Sequence, residues 1–129
     1  MTRTVVSRLS AVLLLAAVWA PPAYAGGSDP NAELARLRTE IRQLAGDGRC
    51  KEDSQCRAIP IGKRDCGGPD AYVVFSTLTV KAAALEARAA EYTALQEEIL
   101  RDRSGVGPCE IILEPKLACI QQRCQAVEE

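Results

Sequence analysis

The six cysteines fall into two groups of three, and that division limits the possible folds more than any other feature of the chain. Cys50, Cys56 and Cys66 form the first group; Cys109, Cys119 and Cys124 lie near the C-terminal end. A long helical pattern separates them. An even number of cysteines in a short exported chain points to disulfides, and the spacing does not choose among the possible pairings. Metal binding is not expected, because the chain has no Cys-x-x-Cys and no His. No cofactor is expected either.

Export is read from the N-terminal residues. Arg3 and Arg8 precede an apolar run over 11–20, Pro21-Pro22 break it, and Ala23-Tyr24-Ala25 follows the small-x-small cleavage rule. Residues 1–25 are therefore expected to be a secretory signal peptide. The apolar run is shorter than the roughly 20 residues needed to span a bilayer. The cleavage region has no cysteine, so a lipid anchor is not expected. The expected location is periplasmic or extracellular, with no transmembrane segment. Residues 26–49 are expected to form a linker and N-terminal helix, and 50–129 a cysteine-rich α+β region in the same globular domain.

Beyond the leader, 14 basic residues face 17 acidic ones, so the charge there is −3. Such a balance gives no general attraction to nucleic acid. The aromatic residues beyond the leader are Tyr72, Phe75 and Tyr92. The core must therefore be built mainly from Leu, Ile, Val and Ala.

Asp29 followed by Pro30 is a helix start. Leu34, Leu37, Ile41 and Leu44 recur at helical spacing, and Gly46 and Gly48 stop the pattern. On its outer face Arg36 and Glu40 are an attractive pair, Arg38 and Arg42 a repulsive one. Residues 55–61 read as a strand, with Cys56 and Ala58 on one side and Arg57, Ile59 and Ile61 on the other. Pro60 restricts that strand to an edge or an end. Cys66-Gly67-Gly68-Pro69 can take backbone angles closed to other residues. Residues 70–76 read as a short strand, although the spacing of Tyr72 and Phe75 also suits a helical turn.

Thr79 is the expected cap of a second helix running to about residue 103. Its inner stripe is Ala82, Leu85, Ala89, Tyr92, Leu95 or Gln96, and Ile99. Glu97 and Arg101 are an expected outer pair. The stretch 104–108 stops the helix. An apolar run over 109–113 ends at Pro115. Residues 117–120 and 123–127 read as a hairpin about Gln121-Gln122, which would set Cys119 opposite Cys124. Those two could bridge each other or reach back to the first group. Gln-Gln is a poor choice for a tight turn of this kind, which favours Asn or Gly.

Several of these features occur together: Asp53-x-x-Cys56, Cys66-Gly67-Gly68-Pro69 followed by Tyr72, Phe75 and Ser76, then Glu91-Tyr92-x-x-Leu95, and Cys109…Cys119-x4-Cys124. In this the chain resembles a group of small exported bacterial proteins of no established function. The resemblance spans about 50–124. It departs at Gln121-Gln122, where a glycine-containing turn would be expected. It implies a disulfide-stabilised secreted domain and no chemistry.

The residues argue against catalysis. Without His there is no Ser-His-Asp arrangement. No motif joins Ser28, Ser54, Ser76 or Ser104 to Lys51, Lys63, Lys81 or Lys116 as a nucleophile and base. Glu52-Asp53 and Glu97-Glu98 are neighbours rather than carboxylates facing across a cleft. Asp47-Gly48 does not continue into a calcium loop. No catalytic residue is therefore expected.

The expected fold is α+β: a small antiparallel sheet packed against one long helix plus an N-terminal helix, stabilised by disulfides. The expected function is a non-catalytic binding or inhibitory module. Its candidate loop carries Lys63, Arg64, Gly67, Gly68 and Pro69, with Tyr72 just beyond. The partner would be an exported protein or a small ligand, and the basic pair suits an acidic pocket such as that of a trypsin-like protease. The alternative is a structural or envelope-associated protein that assembles through its helices.

Overall fold

The computed structural model describes residues 27–103, 107 and 109–127. The leader expected over 1–25 lies outside the described residues, as does the 104–108 helix stop apart from Gly107. Helix α1 spans Pro30–Ala45, as its start and stop signals require. The Asp29 carboxylate accepts the Asn31 N–H at 3.0 Å. At the other end Gly46 takes φ +65° and donates its N–H to the Arg42 carbonyl. Leu37, Ile41 and Ala45 are buried, and Leu34 packs beside them. Leu44 was expected in this stripe but is 38% exposed. The inward positions are 34, 37, 41 and 45, with Leu34 only partly buried, and Ala45 takes the place that a strict repeat assigns to Leu44.

Strands β1 (Cys56–Ile61) and β2 (Ala71–Ser76) form an antiparallel pair with Ile59 opposite Val73. The stretch expected over 70–76 is thus strand from Ala71 to Ser76, not helical turn, with Asp70 still in the preceding loop. Gln55 ends a short 3₁₀ turn, Asp53–Gln55, instead of opening the strand. Helix α2 spans Ala82–Arg101. It is shorter than expected because Thr79 does not cap it. The N–H groups of Thr79 and Val80 both donate to the Ser76 carbonyl, closing a turn directly after β2.

The two helices pack along each other and close over one face of β1–β2. Leu37, Ile41, Ile59, Ile61, Phe75, Leu85 and Tyr92 make the centre of this core. Burying each large apolar side chain contributes about 1.5–3 kcal/mol before chain entropy is counted. The outer faces are charged. Arg36 pairs with Glu33 and Glu40, and Arg88 reaches Glu40 at 3.4 Å. Hydrogen bonding from Arg36 holds the Glu33 carboxyl below the usual carboxylate range. Arg38 does not merely oppose Arg42. It bonds the Asp70 carboxylate at 3.1 Å and lies 5.6 Å from the centre of the Tyr92 ring. The expected Glu97–Arg101 pair is absent: Arg101 donates to the Glu97 carbonyl, and the Glu97 carboxylate faces Lys63 at 3.6 Å.

Strands β3 (Lys116–Ile120) and β4 (Arg123–Val127) form a separate hairpin, so the described strands make two two-stranded sheets instead of one. The reason is visible at the edge. The Cys119 N–H, which could extend a ladder, donates to the Asp53 carboxylate at 2.7 Å. One disulfide, not a ladder, joins the hairpin to β1, while backbone hydrogen bonds tie it to residues 48–50 just before that strand. Cys119 and Cys124 sit opposite each other, as the two-residue turn requires, but do not bridge. Cys119 joins Cys50 and Cys124 joins Cys56, with Cα separations of 5.9 and 5.4 Å. The third bridge is Cys66–Cys109.

The first two bridges act together. Once Cys56–Cys124 is closed, Cys50–Cys119 adds only the small ring through 50–56 and 119–124. Replacing Cys50 and Cys119 by Ser together should therefore cost about 3 kcal/mol, less than its sequence separation alone implies. The Cys56, Cys124 pair should cost a similar amount. Removing both bridges should cost more than the sum of the two single losses, because the second removal opens a longer loop. Urea unfolding of the unreduced variants measures this.

Candidate functional site

The loop 62–70 leaves β1 and returns to β2, and it begins on a glycine for a steric reason. Gly62 has φ +75°, and a Cβ there would collide with the Gln96 side-chain oxygen and lie 2.8 Å from the Asp70 Cβ. Only a residue without a side chain fits both constraints. Helix α2 then fixes the loop. The Gly62 N–H donates to the Thr93 hydroxyl and the Lys63 N–H to the Gln96 side-chain oxygen, each at 2.9 Å.

The rest of the loop is tied to itself and to the later chain. The Arg64 N–H donates to the Gly68 carbonyl, and the Gly67 N–H to the Arg64 carbonyl. Gly67 and Gly68 take φ +91° and +77°. Cys66 is bridged to Cys109, with Cα atoms 5.5 Å apart. The Gly107 N–H donates to the Asp65 carboxylate at 2.9 Å. Together these contacts join the partly exposed loop 62–70 and the mostly exposed segment 109–115 into one face.

The candidate residues do not all share this face. Lys63, Arg64, Gly67, Gly68 and Pro69 lie on it. Tyr72 lies in β2 opposite Pro60 and faces a shallow cleft beside Arg38 and Arg42 of α1. The two cations are engaged. Lys63 faces Glu97 at 3.6 Å, and the Arg64 side chain is only 25% exposed. Arg64 lies 3.9 Å from Asp70 and 3.7 Å from Glu110, and its Nη1 also donates to the Glu110 carbonyl. Its Nε is buried, and the Asp70 oxygen is too far away to accept a hydrogen bond from it. A guanidinium held this way braces the loop against the 109–115 segment.

The sequence marks 109–113 as an apolar run ended by Pro115, but the candidate loop does not include it. Ile111 and Leu113 are 77% and 79% exposed, the highest values among the described large apolar side chains. The run 109–113 joins no strand. Pro115, which cannot donate to a ladder, separates it from the hairpin, as the sequence indicates.

Elsewhere, an open trough of about 460 Å³ lies between β1 and α2, floored by Ile59, Pro60, Ala89, Ala90 and Ala94. It offers little to orient a small ligand. The Thr93 hydroxyl on its wall is committed to Gly62 and Ala89, and Glu97 on its rim faces Lys63. The sulfurs of Cys50, Cys56 and Cys124 lie within 4.8 Å of one another because their bridges are adjacent. As disulfide sulfurs they are not thiolate ligands.

No helix among the described residues is long and apolar enough to cross a membrane. Comparison with protein-family models, curated proteins and solved structures finds no match to the chain.

Two glycines separate the effects that hold the loop. Gly68→Ala, with open space around it, should cost about 1 kcal/mol for the positive φ alone. Gly62→Ala adds the collision with Gln96 and Asp70 and should cost about 2–3 kcal/mol in urea unfolding. In trypsin digestion, the unreduced protein should resist cleavage after Lys63 and Arg64. Replacing Cys66 and Cys109 by Ser should open those two bonds, as peptide mass mapping will show.

Proposed function

We propose that the chain is an exported, non-catalytic binding module that docks a partner protein on the face formed by 62–70 and 109–115. The supporting observation is the Cys66–Cys109 bridge. It fastens a loop already pinned by α2 to the segment that carries the two most exposed large apolar side chains. A face ordered before contact loses less entropy on binding. Export is supported by the signal-like N-terminus and by the three bridges, which persist in oxidising compartments. The resemblance to small exported bacterial proteins agrees with this reading.

The absence of His and the pairing of all six cysteines support a non-catalytic role. Within the binding reading, the geometry favours Ile111 and Leu113 as contact residues over Lys63 and Arg64, whose charges face carboxylates of the same chain. An assembly role through the helices has less support, because the apolar stripe of α1 packs into the protein's own core.

The test is capture by the immobilised, unreduced protein from envelope and medium fractions of the producing cell. An Ile111→Asp, Leu113→Asp double variant is run in parallel. Both sites are exposed, so the variant's stability should change by only about 0.5 kcal/mol. The expected result is a partner held by the wild-type chain and lost by the variant. Equal retention by both, or no retained protein, overturns the proposal.

A further inference from the structure

Residues 110–114 have the properties of an unpaired strand. They contain no helix, turn or bend, and none of them has a positive φ. A stretch that neither coils nor bends runs extended, and Ile111 and Leu113, two residues apart, then share one side of it. No backbone N–H or C=O of 110–114 bonds to backbone among the described residues; the Glu110 carbonyl accepts from Arg64. Both ends of the stretch are fixed. Cys109 is bridged to Cys66, and Lys116 begins β3. Open backbone groups on an exposed extended segment form a template for another strand.

Charge decides what can pair there. Glu110 and Glu114 bracket the three apolar residues. Antiparallel pairing with a twofold-related copy, centred on Ile112, would set Glu110 opposite Glu114 twice over. Like charges directly opposite one another are destabilising. Arg64 offsets Glu110 in part, at 3.7 Å, but no ion pair reaches Glu114 among the described residues. A foreign strand with cations at those two positions gains where a second copy loses.

We infer that 110–114 is a strand-docking edge for an extended segment of another protein. That segment has apolar residues opposite Ile111 and Leu113, and Lys or Arg opposite Glu110 and Glu114. This rests on the docking face proposed above and names the chemistry of its partner.

The probes are two capped nine-residue peptides, with Lys-Val-Thr-Val-Lys or Glu-Val-Thr-Val-Glu at the centre. Each is titrated into the full, unreduced protein and followed by backbone amide chemical shifts and hydrogen exchange. The lysine peptide should bind about tenfold more tightly than the glutamate peptide. It should protect the amides of 110–114, and its advantage should shrink as salt rises. Glu114→Lys should reduce or reverse the preference.

Equal affinity for the two peptides, or shifts confined to other residues, overturns the inference. So does a concentration-dependent dimer in sedimentation that Leu113→Asp abolishes, since a second copy would then be the occupant. If a natural partner is still lost from the Ile111→Asp, Leu113→Asp variant while the peptides do not discriminate, the docking face stands and the strand edge falls.

Discussion

The hairpin and the helical body are joined by two neighbouring cross-links, Cys50–Cys119 and Cys56–Cys124, and the rest of the structure depends on that joint. The hairpin lacks a ladder to β1 and buries little of its own surface. A two-stranded hairpin alone is marginal in water. The covalent attachment therefore supplies what packing does not. Backbone contacts then orient it. The Cys50 N–H donates to Gln122 and the Cys124 N–H to Gly48, so each bridge is flanked by a hydrogen bond across the same seam. Asp53 closes the β3 edge from the opposite side.

Several residues that stand out in the sequence serve this framework rather than chemistry. Ser76 is fully buried; its carbonyl accepts from Thr79 and Val80, and its hydroxyl accepts from the Leu78 N–H at 3.2 Å. It turns the chain from β2 toward α2. Tyr92 fills the space beside Gly62 and lies under Arg38, so one ring sets both a helix contact and the start of the loop. Gln96 and Thr93 are polar residues one helical turn apart, roughly, that replace missing backbone partners for the loop N–H groups. These contacts fix the start of the loop against α2.

Much of the local structure was legible. Asp29, Pro30 and Gly46 mark α1 because capping chemistry acts over a few residues. The periodicity of Leu85, Ala89 and Tyr92 marks α2 for a similar reason. Where reading failed, a more distant group had intervened. Thr79 has the chemistry of a cap, but its N–H serves the turn after Ser76. Arg101 is correctly placed for Glu97, but that carboxylate faces Lys63. Gln121 and Gln122 hold φ +50° and +62°, angles that Asn or Gly adopts more readily. The hairpin keeps this turn because Cys119 and Cys124 are each tied to the body and Gln122 accepts from Cys50.

The sequence by itself determined the classes of contact: helices with one apolar face, strands bounded by Pro and Gly, and six cysteines without His. These follow from side-chain chemistry and short-range periodicity, which a linear string contains. The tertiary structure alone decided which cysteine meets which, that the strands form two sheets, and that Lys63 and Arg64 are braced while Ile111 and Leu113 stand free. Each depends on where residues tens of positions apart come to rest, and spacing along the chain does not encode that distance.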